Sequence, residues 1–198
     1  MSSFTQAKDI LCKGSVINAD PMRFVYHTGN ITPSQRTDRT AEYKRRDLHS
    51  EGGGWGSPGA RRAYGGVIFN HQGHVLLRKP TNHFDGYHWT FPKGRPDAGE
   101  HPVDSAHREV QEETGFRAKI VGHVPGGHAS GESTSHFYLM HPTEHTPHKM
   151  DQETERTVWA HPMVAKQLIS QSTNVGGRKR DLGILSAATE AHSKLAGE

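Results

Sequence analysis

After a polar front segment, the hydrophobic pattern becomes regular from about Arg62 onward. YGGVIFN and HVLLRK, separated by HQG, predict two short strands joined by a turn, and WTFP beyond Gly86 predicts a third. Between Pro102 and Thr114 the period lengthens to that of a helix. Proline stands where a first-turn residue is tolerated, and Gly115 stands where helices commonly end. KIVGHV and SHFYLMH then predict strands flanking PGGHASGEST, RTVWA another strand, and PMVAKQLIS a helix. A last helix is predicted from Asp181 to Leu195, after a loop STNVGGRKR. This order argues for an α/β fold, a mixed sheet with helices packed on it.

Residues 1–61 contrast with this. Their short apolar patches, DILC and RFVYH, precede a long polar, charged and Gly-rich run. We read them as a loosely ordered N-terminal extension, with the domain proper over residues 62–198. Lys44, Arg45 and Arg46 leave open a basic arm for RNA or phosphate.

Composition agrees with a single domain plus a segment that does not pack. Only 32% of the 198 residues are hydrophobic, and 22 Gly with 11 Pro favour turns and loops. The formal net charge of +3 suits an anionic ligand but is too small to indicate a nucleic-acid-binding domain. Cys12 is the one cysteine, so no intrachain disulfide forms. Apolar runs such as VIF and VLL fall far short of the roughly 20 residues that span a bilayer. Neither a membrane span nor export is predicted, and the expected location is cytoplasmic. Histidines such as His123, His128 and His136 lack the paired spacing of zinc ligands.

The chemistry concentrates on the central helix. At 100° per residue, Glu109, Glu112 and Glu113 fall within about 100° of arc, while Val103, Ala106 and Val110 gather roughly 110° away. Like charges at i,i+3 and i,i+4 repel by a few tenths of a kcal/mol per pair. A merely solvated helix would spread them. Converging carboxylates supply hard oxygen ligands suited to Mg²⁺ or Mn²⁺. Arg108, four residues before Glu112, is placed to orient that carboxylate.

The stretch GRPDAGEHPVDSAHREVQEETGF, from Gly94 to Phe116, resembles the box of the Nudix hydrolase family, G-x5-E-x7-R-E-U-x-E-E-x-G-U, at every specified position. The resemblance implies a Nudix fold, a mixed β-sheet sandwiched between α-helices. It also implies divalent-metal-dependent hydrolysis of a nucleoside diphosphate linked to another moiety. On that basis Glu109, Glu112 and Glu113 are expected as metal ligands, with Glu100 contributing more weakly. Arg108 is expected to orient them, and Gly94 and Gly115 to serve the backbone.

HWTFPKG, just before the box, is similar to the W-T-x-P-K-G entrance of Nudix hydrolases acting on diadenosine polyphosphates and diphosphoinositol polyphosphates. Lys93 is therefore expected to contact phosphate. Members handling dinucleoside polyphosphates carry a tyrosine downstream of the box. Ser133 stands at the matching position here, and Tyr138 is the nearest tyrosine, expected against the substrate. The general base varies within the family. In diadenosine tetraphosphate hydrolases a loop glutamate lies six residues before a comparable tryptophan, and counting back from Trp159 selects Glu153. Glu155 and a box glutamate, Glu112 above all, stay open.

The resulting expectation is a pyrophosphohydrolase acting on a phosphate-rich, nucleotide-like small molecule, a dinucleoside polyphosphate first among them. The alternative is a Nudix domain that binds nucleotide or RNA without catalysis. Degenerate domains usually lose a box glutamate, and all are present here. Isomerase chemistry would call for a cysteine near the site, whereas Cys12 lies in the extension. The sequence carries no indication of oligomeric state.

Overall fold

The computed structural model describes residues 38–49, 61–145 and 150–196. Helix α1 (Thr40–His49) comes first, followed by β1 (Arg61–Ile68), β2 (Val75–Pro80) and the two-residue β3 (Lys93–Gly94). Helix α2 (Pro102–Thr114) leads into β4 (Phe116–His123), β5 (His128–Ser130), β6 (Ser133–His145) and β7 (Thr154–Ala160). Helices α3 (Pro162–Ser170) and α4 (Val175–Ala196) close the chain. Among the described residues, no helix is long and apolar enough to cross a membrane.

The main sheet runs in the order β3-β1-β6-β4, with β5 also paired to β6, and β2 with β7 makes a second, two-stranded sheet. β1 and β6 are parallel, from Arg61 opposite Ser133 to Ile68 opposite Met140, and the other pairings are antiparallel. The sheet is therefore mixed, as expected.

Side chains alternating along each strand fill two cores. Phe137 and Leu139 join Val67, Phe91 and residues of α3 and α4, such as Ile169 and Ile184, on one face. Tyr138 and Met140 join Tyr64, Ile68 and the α2 residues Val103, Ala106 and Val110 on the other. Helices thus cover both faces of the sheet.

Three sequence expectations are corrected. The segment WTFP forms no third strand; Thr90 makes a single bridge to Arg78, and Pro92, lacking an N–H, is followed by the short β3. The last helix begins at Val175 rather than Asp181, because Asn174 accepts the Gly177 N–H at 2.8 Å and satisfies a first-turn donor. The third correction concerns α1, which lies inside the segment expected to be loosely ordered. Tyr43 is buried against Tyr138, ring centroids 5.6 Å apart, and Arg39 donates its backbone N–H to the Ile120 carbonyl at 3.1 Å. Lys44 pairs with Asp104 of α2 at 2.5 Å. The remainder of residues 1–61, including Cys12 and the side chains of Arg45 and Arg46, lies outside the described residues.

Candidate active site

Helix α2 begins cleanly. Pro102 occupies its first turn, and His101 caps it by accepting the Val103 N–H on Nδ1 at 3.2 Å. It ends at Gly115, whose φ of 71° is the left-handed conformation that glycine adopts without Cβ penalty. Residues 94–116 therefore form a loop, a helix and a sharp stop.

Arg108 organises the site. Its Nε and Nη2 donate to the two oxygens of Glu100 at 2.9 Å each, and Nη2 also reaches the Arg95 carbonyl at 3.0 Å. Its Nη1 donates to Glu109 Oε1 at 2.8 Å and to Glu112 Oε2 at 3.0 Å. One guanidinium thus gathers three carboxylates, whose bonds drive its pKa further up. The same fork holds Glu100 down at about 2, chiefly through the Arg108 hydrogen bonds. Glu100 spends both oxygens on Arg108, so here it fastens the loop to the helix rather than facing a ligand.

The three box glutamates have different environments. Glu112 is half-exposed, with 48% of its side chain open. Glu109 is largely covered, and burial raises its pKa. Its carboxylate lies directly over Gly94, where an added Cβ would collide with Oε1. Glu113 is only 2% exposed, since it borders the apolar stripe of α2. It forms an ion pair with Arg78 through Oε1 and accepts the Lys93 N–H on Oε2 at 2.7 Å. Burial pushes its carboxyl upward, against the pull of Arg78.

A divalent ion fits part of this donor set. Glu109 and Glu112 each keep one oxygen that Arg108 does not take, and hard oxygens beside a buried carboxylate suit such an ion. Glu113 and Glu100 have both oxygens engaged. As the side chains stand, no group of three His, Cys, Asp or Glu among the described residues is gathered for an ion.

Lys93 leaves β3 beside this helix. Burial lowers its pKa, Arg180 lowers it further, and Asp181 and Glu113 raise it. Arg180 and Asp181 were not anticipated as buried. The sequence places Arg180 in the loop before the last helix, whereas it lies within α4, its side chain 3% exposed and donating from Nε to Asp181 at 2.8 Å. Asp181 also accepts from Thr90 Oγ1 at 2.7 Å.

The loop before β7 folds over the end of α2. Asp151 donates its N–H to the Glu112 carbonyl at 2.7 Å, and the Glu153 charge raises the Glu109 pKa. Glu153 is exposed. Glu155 points elsewhere, paired with Lys79 at 2.7 Å across the β2–β7 ladder. Tyr138 is corrected as a substrate contact. It is fully buried in the core beneath α1 and α2 rather than lining an open surface. Arg78 was missed altogether, because no fixed spacing relates it to Glu113.

This fold and this loop-helix site are those of a Nudix domain, and the family model described as "NUDIX domain" matches residues 59–175. The chain belongs to the Nudix family. An RNA pyrophosphohydrolase of Bartonella quintana is 45% identical over 64 residues, covering 29% of this chain and 37% of that protein. One from Bartonella bacilliformis is 41% identical over 100 residues, covering 39% of this chain and 59% of that protein. The chain thus spans less than two thirds of the curated relatives it matches. Among solved structures, a NUDIX hydrolase from Nitrosomonas europaea superposes with a TM-score of 0.54 at 16% identity, over 68% of this chain and 90% of that one. An Ap4A hydrolase of C. elegans gives 0.51 at 22% identity, over 69% and 99%. Both likenesses concern the fold.

Proposed function

We propose that this chain is a metal-dependent pyrophosphohydrolase that cleaves a phosphoric anhydride bond of a nucleoside 5′-polyphosphate by water attack on phosphorus. The observation carrying this reading is the Arg108 clamp, which gathers Glu109 and Glu112 at the mouth of a complete box. Nudix enzymes generally use divalent metal ions. Mg²⁺ or Mn²⁺, when bound, neutralises the bridging phosphates and polarises the phosphorus under attack. Glu109 and Glu112 would hold the ion, with Arg108 fixing their orientation. Glu113 supports them from below, tied to Arg78 and to the Lys93 amide. The Lys93 ammonium binds phosphate oxygen. Glu153 accepts a proton from the attacking water on its carboxylate as the P–O bond to the leaving phosphate breaks.

Two substrate forms share this chemistry. A dinucleoside polyphosphate matches the HWTFPKG entrance, and a 5′-triphosphorylated RNA end is supported by the likeness of 29% of the chain to an RNA pyrophosphohydrolase. Incubating both, with ADP-ribose and a diphosphoinositol polyphosphate, in Mg²⁺ or Mn²⁺ and weighing the products by mass spectrometry tests the reading. Release of phosphate or pyrophosphate from the RNA end, or of nucleotides from the dinucleoside polyphosphate, is expected. Binding of nucleotide without turnover of any of the four would replace hydrolysis with a sensing role.

A further inference from the structure

Arg78 lies on β2, outside the box, yet its guanidinium touches two parts of the site at once. Nη2 forms the buried ion pair with Glu113 on α2. Nη1 donates to the Glu153 carbonyl at 3.1 Å and to Thr154 Oγ1 at 3.0 Å. Only 11% of the Arg78 side chain is exposed, so these bonds form away from bulk water and hold their partners firmly.

The surrounding bonds give this contact its consequence. Thr81, just past the end of β2, donates its N–H to the same Glu153 carbonyl at 2.9 Å, and its hydroxyl donates to the Gln152 carbonyl at 2.7 Å. Asp151 holds the Glu112 carbonyl from the other side, and its Oδ1 accepts the Glu153 N–H at 3.0 Å. The β2–β7 ladder shifts register between Lys79 and Pro80, where Pro80 meets Thr154. Ladder bonds alone therefore leave the backbone at Glu153 irregular. Arg78 and Thr81 converge on the carbonyl of Glu153, the residue proposed above to accept the proton.

We propose that Arg78 is a positioning residue that ties the loop bearing Glu153 to Glu113 of the box helix, setting where the Glu153 carboxylate stands over the site. The planar guanidinium serves because it bonds a carboxylate on one side and a carbonyl and a hydroxyl on the other. An ammonium at the end of a flexible stem does not span that arrangement. Arg78 itself touches no reacting atom. Its catalytic part rests on the hydrolase reading above, whereas its hold on the loop does not.

The test uses the full chain and begins with amide hydrogen exchange of wild type, Arg78→Met and Arg78→Lys. Exchange across residues 150–154 is expected to rise at least about tenfold in both variants, while the β1–β6 pairing keeps its protection. With a substrate from the panel, kcat is expected to fall more than about tenfold while KM changes less than about threefold. Combining Arg78→Met with Glu153→Gln should cost little more than the worse single change, since both act through one group. Should Arg78→Met fail to fold, Arg78→Lys, which keeps a cation beside Glu113, carries the same expectations. Unchanged exchange at 150–154 in Arg78→Lys would overturn the proposal, as would fully additive losses in the double variant. If wild type turns over nothing on the panel, the hydrolase reading fails and hydrogen exchange still decides whether Arg78 holds the loop.

Discussion

Arg108 and Glu100, eight residues apart in sequence, meet through two parallel hydrogen bonds of 2.9 Å, Nε to Oε1 and Nη2 to Oε2. The pair closes the loop onto the helix while Nη1 steers Glu109 and Glu112. A planar fork is needed for that division of labour, and a lysine offers only a point charge. Arg108→Lys is expected to lower turnover by at least about 100-fold despite the retained charge. Steady-state kinetics checks this, and a variant within a few-fold of wild type would show that charge alone suffices.

Gly94→Ala separates fold from function. The atoms that an added Cβ would meet belong to the Glu109 carboxylate, the far end of a flexible side chain. The carboxylate swings away at little cost to the fold, and its position over Gly94 is lost. Turnover should fall at least about 100-fold with Tm changed by only a few degrees. A large drop in Tm with full activity at low temperature would contradict the assignment.

Glu112→Gln and Glu113→Gln should both reduce turnover by about 100-fold or more, yet differ in stability. Glu112 is half-exposed, so its loss leaves nothing uncompensated. Glu113 is buried against Arg78, and neutralising it strands a buried guanidinium, a loss of the kind that costs about 3–5 kcal/mol. Urea unfolding should show a lower midpoint for Glu113→Gln alone. Equal midpoints would mean that Arg78 draws its stability from Glu153 and Thr154 instead.

Glu100 also predicts an acid response. Its pKa falls from 4.5 to about 2 in the folded protein, chiefly through the Arg108 hydrogen bonds. A depressed carboxylate stabilises the fold fully above its unfolded value and loses that contribution as pH falls toward the folded value. The Tm difference between wild type and Glu100→Gln should therefore be constant above 4.5 and shrink between 4.5 and about 2. Calorimetry across that range would contradict the pairing if the difference stayed flat.

The box was legible because its residues act at fixed separations along one loop and one helix, where sequence spacing translates directly into geometry. Contacts made between distant elements were not. Arg78 reaches Glu113 and Glu153 only after β2 pairs with β7, and Asp181 reaches Thr90 only after α4 packs. Tyr138 illustrates the limit of spacing along strands. Its alternation with Phe137 and Leu139 decides which core it enters, and that side proved to be the closed one beneath α2. Glu113 sits at the border of the apolar stripe, so the helical wheel gave its direction but not its burial.

Helix α1 escaped notice because TAEYKRRDLH carries few apolar residues, so no stripe announces it. Its attachment is local and specific instead. Tyr43 covers Tyr138, Arg39 bonds the Ile120 carbonyl, Thr40 Oγ1 lies 3.3 Å from His107 Nε2, and Lys44 pairs with Asp104. Two of these contacts fall on α2 itself, behind the face that carries Glu109 and Glu112. A chain beginning at Pro58 would uncover Tyr138 and the back of the box helix, whereas one beginning at Asp38 keeps every contact described. Full burial of a large side chain is worth about 1.5–3 kcal/mol, so the shorter chain should melt several degrees below the longer one. Tyr43→Ala in the full chain should lower Tm in the same direction. The carboxylates proposed to hold the metal are set by Arg108 and Gly94 rather than by α1, so kcat measured well below Tm should differ less than about threefold between the two truncations. Equal melting temperatures would mean that α1 contributes nothing to the fold, and a selective loss of kcat at equal stability would move α1 from scaffold to site.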